Sequence, residues 1–210
     1  MLATRRVLLG LTVMFALAVP VATPALAAGN VAETYVADNI HKGLEILNNK
    51  ATPKAQREQQ FEVFLIGLTD MKRIAMFTLG QYRRGASQAD QDAFAAAFQN
   101  YATAVYQSYF SKYSGQTLKV TGSTEVKPTD FVVSTQLIDP GDKDGQPPLE
   151  VSFRVRTDAG RPVVVDFSVS GIWLSLEERD QFVGFLGQNG GNIHTLIAHL
   201  SDLAKQYRTG

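Results

Sequence analysis

The chain has 210 residues, with 20 basic and 20 acidic side chains and no cysteine. This length suits one domain with a short extension, and the absence of cysteine excludes stabilisation by disulfides. The balanced charge argues against nucleic acid as a partner, and against a strong electrostatic hold on anionic lipid surfaces.

The N-terminus has the pattern of a secretory signal peptide. Arg5 and Arg6 precede an apolar run at 7–19, which is shorter than the roughly 20 residues that a spanning helix needs. A small-x-small triplet that ends at Ala27 follows, so we predict a signal peptide over 1–28, cleaved near Ala27 or Ala28. The pattern leaves open whether the general secretory or the twin-arginine route is used. Without Arg5 and Arg6 the exported chain carries 18 basic and 20 acidic residues.

Helical spacing dominates the first half of the remaining chain, in a region of about 30–114. The first predicted helix, at 30–48, carries Val31, Tyr35, Ile40, Leu44 and Leu47. The second begins near Thr52-Pro53 and buries Phe61, Phe64, Leu65 and Leu68. The third, capped by Thr69 or Asp70, holds Met71, Ile74, Ala75 and Leu79.

The fourth predicted helix is rich in aromatic residues. Ser87 and Asp90 resemble a capping box, which places the helix start near Gln88. One stripe contains Phe94, Phe98, Tyr101, Val105 and Tyr109, and a second contains Tyr106, Phe110 and Tyr113. Together they are wider than one core face needs, which favours a helix that lines a cavity as well as filling a core.

Alternating residues then predict a sheet over about 116–170. Strands are predicted at 117–126 and 130–138, followed by two with apolar faces formed by Leu149, Val151, Phe153 and Val155, and by Val163, Val165, Phe167 and Val169. Two closing helices follow at about 174–208, separated by Gly190-Gly191. The predicted fold is α+β, one domain at 29–210 with helices on one face of a four-stranded antiparallel sheet and an apolar pocket between them.

The residues suggest no catalytic group, metal site or cofactor. His194 and His199 are five positions apart and would diverge on a helix, and no nucleophile motif or phosphate-binding loop occurs. Asp166 with Arg154 or Arg156 is best explained as cross-strand ion pairing. Arg83-Arg84 fits a solvated helix junction better than the alternative, a phosphate contact.

Several segments, in order, resemble the MlaC / toluene-tolerance family of periplasmic phospholipid-binding proteins. They are Asp70-Met71, Ile74-Ala75, 79–82, Ser87, 94–98, Tyr101, Tyr106, Tyr113, 115–117, Asp166, Val169, Gly171-Ile172, Arg179, Phe182, Gly190-Gly191 and Leu196-Ile197. Ser170 and Trp173 depart from the family pattern, which often has Glu and Ser there. The local sequence is also similar to the hopanoid-associated HpnM branch.

The resemblance implies an MlaC-like (NTF2-like) fold and a carrier that shuttles phospholipid through the periplasm. Its implied partners are an outer-membrane lipoprotein–porin complex and an inner-membrane ABC transporter with an MCE-domain ring. Each buried CH₂ is worth about 0.8 kcal/mol, so exposing two chains of about 16 carbons would cost more than about 20 kcal/mol. A carrier therefore needs an apolar pocket, here expected near or above the upper end of the usual range of roughly 300–1,000 Å³.

The predicted lipid-lining residues come from the apolar faces of the helices and the sheet, and we expect the carrier to be a monomer. They are Phe61, Leu65, Leu68, Ile74, Leu79, Phe94, Phe98, Tyr101, Val105, Val133, Val151, Phe153, Val165, Phe167 and Val169, with Ile172 and Trp173 at the edge. Two alternatives remain. An NTF2-like enzyme would need a polar group on the apolar strand face, where Thr135 is the obvious one, and an interaction module would have a filled core.

Overall fold

The computed structural model describes residues 30–110, 113–141 and 147–209, so the predicted signal peptide lies outside the described residues. Six helices are present in these ranges, with a 3-10 segment at Gly80–Gly85 between the third and fourth. They are α1 (Val31–Asn48), α2 (Lys54–Leu68), α3 (Met71–Thr78), α4 (Gln88–Phe110), α5 (Leu174–Gln188) and α6 (Ile193–Thr209). None of them is both long enough and apolar enough to cross a membrane.

The sheet is antiparallel and its strands follow chain order from one edge to the other. Its strands are β1 (Thr117–Lys127), β2 (Asp130–Ile138), β3 (Glu150–Arg156), β4 (Val163–Val169) and β5 (Ile172–Trp173). The predicted α+β fold is confirmed. The predicted sheet lacked β5, which is only two residues long and pairs with Ser168 and Val169. Alternation over two residues is too short to be seen in a sequence.

Three of the helices, α1, α3 and α4, begin where a preceding side chain satisfies their first backbone N–H groups. The Asn30 side chain accepts from Ala32 N and Glu33 N, at 2.9 and 3.0 Å. Asp70 accepts from Arg73 N at 3.0 Å at the start of α3. Ser87 Oγ accepts from Asp90 N at 3.1 Å, so the predicted cap of α4 is present.

Buried apolar side chains form two separate clusters. The larger one, the helical core, joins α3, α4, α5 and α6 around Phe94, Phe98 and Phe182, whose rings meet nearly edge to face. The smaller one, the sheet core, joins α1 to the sheet through Val36, Val133, Val155 and Val164, with Ala32 beside them. In the hairpin formed by α1 and α2, α1 is therefore attached to the sheet core, whereas α2 also contacts α4, where Gln107 Nε2 donates to Glu62 Oε2 at 2.7 Å.

One acidic side chain lies within the helical part of the molecule. Glu178 Oε1 accepts a hydrogen bond from the Tyr101 hydroxyl at 3.0 Å, and Glu178 Oε2 is buried without a hydrogen-bond partner among the described residues. Burial raises the pKa of Glu178, with Glu177 adding to the effect. The folded protein therefore holds this proton more tightly than the unfolded chain, and the contribution of Glu178 to stability falls as the pH rises from about 4.3 through the raised pKa.

We expect Glu178→Gln to raise the free energy of unfolding at pH 7 by about 1 kcal/mol. The amide keeps an acceptor for Tyr101 and carries no charge to desolvate. Urea titrations between pH 4 and 8 measure the free energy of unfolding. The fall in this free energy that Glu178 causes above about pH 4.3 in the wild-type protein should be absent from the variant. Equal stability at pH 7 together with an unchanged pH profile would contradict this account.

Candidate functional site: an apolar pocket beneath the α1–α2 hairpin

An apolar pocket lies between the α1–α2 hairpin and one face of the sheet. Helical spacing brings one face of α1 and one face of α2 to the pocket, and alternation brings side chains from four strands. It measures about 290 Å³. Its lining consists of Tyr35, Val36, Asn39, Ile40, Gly43, Leu44, Leu47, Phe61, Phe64, Leu65, Leu68, Tyr113, Gln116, Thr117, Leu118, Leu137, Phe153 and Val164.

Polar side chains at this pocket are engaged with other protein groups. The Tyr35 hydroxyl donates to Leu68 O at 3.2 Å, and burial raises its pKa. Asn39 Nδ2 donates to Tyr35 O at 2.7 Å, and the Tyr113 hydroxyl donates to Asn48 Oδ1 at 3.2 Å. Gln116 Nε2 donates to Ser114 Oγ and to Asp139 Oδ2. The pocket therefore offers few free polar groups and suits hydrocarbon better than a polar solute.

Gly43 sets how closely the two helices of the hairpin approach. A Cβ atom at this position would lie 3.2 Å from ring atoms of both Phe61 and Phe64, which is tighter than ordinary packing. The two rings also contact each other, with centroids 5.6 Å apart. The absence of a side chain at Gly43 thus lets both phenylalanines occupy the pocket wall.

The structure brings some of the predicted lining residues together in this pocket. Phe61, Leu65 and Leu68 from α2 and Phe153 from β3 line it directly. Val133 lies beside Phe153 in the strand register and is fully buried in the sheet core. Val151, Phe167 and Val169 continue the same face of the sheet, and the Phe167 ring contacts Tyr106 of α4 at 5.8 Å between centroids.

Other predicted lining residues lie elsewhere. Leu79, Phe94, Phe98 and Tyr101 belong to the helical core, and Val105 packs against that core. Ile74, Val165 and Trp173 line a second cavity of about 400 Å³, called here the polar cleft, which also contains Arg73, Phe77, Arg154, Arg156, Asp166, Ser175 and Leu176. Ile172 is 60% exposed. The first aromatic stripe of α4 therefore faces α5 and α6, whereas Tyr106 of the second stripe faces the sheet.

A β-bulge explains why Val165 and Val164 exchange faces relative to the expected alternation. Arg154 pairs with Asp166, but the next residue, Val155, pairs with Val164, so Val165 is the extra residue in β4. Val164 consequently lines the apolar pocket and Val165 the polar cleft. The Val164 carbonyl also accepts from Asp70 N at 3.1 Å, which fixes the link between α2 and α3 against this strand.

The lining residues that the sequence prediction missed come mainly from α1. Tyr35, Ile40, Leu44 and Leu47 carried a recognisable signal, because their helical spacing predicted a buried face. Their spacing did not indicate that this face of α1 lies opposite the sheet. Leu118 and Leu137 were missed as well, although their register pairs them directly across β1 and β2.

The polar cleft on the other side of β4 is organised by ion pairs. Arg154 pairs with Asp130, with contacts from Nε and Nη2 at 3.0 and 2.8 Å, and Arg156 Nη1 adds a contact at 3.3 Å. The Asp130 side chain is fully buried, and its hydrogen bond from Arg154 lowers its pKa. Cross-strand pairing is thus present as predicted for these arginines, but its acid is Asp130 rather than Asp166.

Asp166 has a different structural role. Its carboxylate accepts hydrogen bonds from Ser175 N at 3.0 Å, from Ser175 Oγ at 2.5 Å and from Phe167 N at 2.9 Å. Trp173, at the start of α5, provides no side-chain cap, so Asp166 caps this helix from the neighbouring strand. Burial raises the pKa of Asp166, while these hydrogen bonds oppose the rise.

Comparison with known proteins places this architecture in one family. The family model described as "MlaC protein" matches residues 37–202, which include most of α1, all of α2, α3, α4 and α5, the sheet and the first part of α6. The phospholipid-binding protein from Ralstonia solanacearum, solved in complex with a phospholipid, has the same fold with a TM-score of 0.72. The similarity covers 84% of this chain and 98% of that chain, at 21% sequence identity. The chain therefore belongs to the MlaC family.

Proposed function

We propose that the protein is a carrier that holds the acyl chains of a phospholipid in the pocket between the α1–α2 hairpin and the sheet. The observation that carries this proposal is the apolar lining of that pocket, whose polar side chains are already hydrogen-bonded. Family membership supports it, as does the phospholipid bound by the Ralstonia protein of the same fold.

Direct acyl contacts are proposed for Phe61, Leu65, Leu68, Phe153 and Val164, which line the pocket. Val133, Val151, Phe167 and Val169 lie on the same sheet face and would form the wall of a deeper pocket. The volume of about 290 Å³ lies just below the usual range of roughly 300–1,000 Å³ for ligand pockets, so the expectation of a pocket near or above the upper end of that range is wrong for this structure. A two-chain lipid is larger than an ordinary ligand, so the hairpin would move outward when the lipid enters.

The proposed transport route is between membranes in the periplasm, after removal of the signal peptide. The carrier would exchange lipid with an outer-membrane lipoprotein–porin complex and with an inner-membrane ABC transporter that has an MCE-domain ring. This route would maintain the lipid asymmetry of the outer membrane. The free-energy cost of exposing acyl chains, more than about 20 kcal/mol for two chains, is the reason such a protein is needed.

A binding role is favoured over an NTF2-like enzyme by the state of Thr135. This residue is the polar group on the apolar strand face that such an enzyme would need. Its hydroxyl is fully buried and donates to Val151 O at 2.7 Å, within the sheet. It therefore stabilises the pairing of β2 and β3 and is not directed at a ligand.

Lipid extraction tests the proposal. The full chain, expressed with its own leader and purified without detergent from the periplasm of a Gram-negative host, should contain about one phospholipid per protein by native and organic-extract mass spectrometry. A hopanoid in place of a phospholipid would assign the protein to hopanoid-related transport. Protein that emerges without lipid, and that does not take up lipid from vesicles, would contradict the carrier function.

A further inference from the structure

A third cavity, called here the arginine pocket, lies where α3, the 3-10 segment, α4 and α5 meet. It measures about 590 Å³ and is lined by Met76, Phe77, Gly80, Arg83, Arg84, Gln91 and Arg179. Its lining contains three guanidinium groups and no acidic side chain. It shares no lining residue with the apolar pocket. The function proposed above does not account for it.

The charges of these three arginines are not neutralised within the described residues. No ion pair is formed there by Arg83, Arg84 or Arg179. The arginines of the polar cleft differ, because Arg154 pairs with Asp130, and Arg73 pairs with Asp158. Three positive charges without an ion pair thus lie at one concave site, where they raise the local concentration of anions.

Arg179 is held in position without a carboxylate. It is half-buried, and its guanidinium carbon lies 5.2 Å from the centre of the Phe77 ring in a cation–π contact. Gly80 leaves space beside it: a Cβ atom there would lie 3.3 Å from Arg179 Nε and 2.8 Å from Val183 Cγ2. The φ of +54° at Gly80 also favours glycine. Arg179 is therefore preorganised, and the ordering cost of binding is reduced.

The segment that carries the other two arginines is also fixed. Gln91 Nε2 donates to Ala86 O at 3.1 Å and to Arg83 O at 3.4 Å, which connects the end of the 3-10 segment to α4. Arg83 and Arg84 themselves are exposed and occupy the last turn of that segment. The backbone is thus constrained where the charged side chains begin, while the guanidinium groups remain accessible to a ligand.

We propose that Arg83, Arg84 and Arg179 form a phosphate-binding site separate from the acyl-chain pocket. The planar guanidinium groups suit the oxygen atoms of a phosphate group, with which arginine forms paired hydrogen bonds. The phosphate can be free in solution or belong to the headgroup of a lipid at a bilayer surface. Exposed Phe77, 40% accessible, lies beside the arginines and would contact the remainder of such a headgroup.

The test compares Arg83→Gln/Arg84→Gln/Arg179→Gln with wild-type protein, using inorganic phosphate and then vesicles. Phosphate titrated at low ionic strength should shift the NMR signals of the Arg179 side-chain N–H and of Gly80. The triple variant should weaken binding at least tenfold. Arg208→Gln is the control for a single lost charge, because this exposed α6 residue bonds Asn100 outside the pocket. Arg84→Gln alone should reduce the affinity for phosphate by an intermediate amount. This single variant still tests the proposal if the triple variant does not fold.

Vesicles of phosphatidylcholine, with and without phosphatidylglycerol, distinguish the two sources of phosphate. Arginine-dependent sedimentation with vesicles assigns the site to headgroups, and phosphate binding without sedimentation assigns it to a free phosphate. Binding of neither probe, or equal weakening by Arg208→Gln, would overturn the proposal. Lipid retained in the apolar pocket is measured in the same samples. The amount of retained lipid should be the same in the triple variant and the wild-type protein. Failure of the phosphate-site proposal can therefore be distinguished from failure of the carrier proposal.

Discussion

Leu65→Glu should abolish lipid retention while leaving the protein folded. Leu65 is half-buried on α2 and lines the apolar pocket, so its replacement places a carboxylate where acyl chains are proposed to lie. Burying an unpaired charge costs at least about 3 kcal/mol, which corresponds to a loss of about 100-fold in affinity. Glutamate is a good helix former, so α2 itself should tolerate the change.

Val63→Glu is the matched control for this prediction. Val63 lies on the same helix two positions earlier and is 66% exposed, so the same carboxylate would remain in water. Phospholipid recovered per protein, measured by mass spectrometry after purification without detergent, should be at the wild-type level in Val63→Glu and nearly absent in Leu65→Glu. Similar occupancy in the two folded variants would remove α2 from the binding site.

Asp130→Asn should be the most destabilising single change among the ionic residues of the sheet. The Asp130 side chain is fully buried and holds Arg154 and Arg156 together. Removing one partner of a buried ion pair costs about 3–5 kcal/mol, and partial exposure of Arg154 reduces the expected loss to about 2–3 kcal/mol. Urea unfolding monitored by circular dichroism measures the difference.

The same variant should change the acid sensitivity of the protein. Because the pKa of Asp130 is lower in the folded than in the unfolded state, its contribution is complete above about pH 5 and is lost as the pH falls through the folded pKa. Asp130→Asn should therefore be less stable than the wild-type protein at pH 7. Its free energy of unfolding should also decrease less steeply below about pH 4. Asp158→Asn is the control, because this carboxylate is more exposed and its ion pairs, which are screened by solvent, should contribute much less to stability. Equal losses in the two variants would show that burial does not set the effect.

The sequence predicted the helices, four of the strands and several helix caps, because these depend on local spacing. Ser87 and Asp70 are at helix starts, where their short polar side chains cap backbone N–H groups. The β-bulge could not be predicted in this way, since Val163, Val164 and Val165 are identical side chains. Which of these valines becomes the extra residue depends on the pairing with β3 and on the hydrogen bond from Asp70 N to the Val164 carbonyl.

The position of the apolar pocket does not follow from the spacing of apolar residues alone. The aromatic stripe of Phe94, Phe98 and Tyr101 satisfies the pattern of a cavity wall, but the same pattern serves a helix that packs against α5 and α6. The two outcomes depend on which helix covers the sheet, and that choice is set by long-range contacts that spacing does not encode. The apolar side chains of α1, with an ordinary amphipathic pattern, supply much of the lining instead.

The separation between the helical core and the sheet core has a consequence for how cargo is exchanged. A structure with two weakly connected clusters can open one of them while the other stays intact, as in the cooperative subunits seen by native-state hydrogen exchange. The α1–α2 hairpin packs against the sheet through α1, while its second helix, α2, packs against α1 and, to a smaller extent, against α4. We expect its backbone amides to exchange faster than those of α4 and α6, so that admission of a lipid requires only a local transition and never approaches the cost of global unfolding.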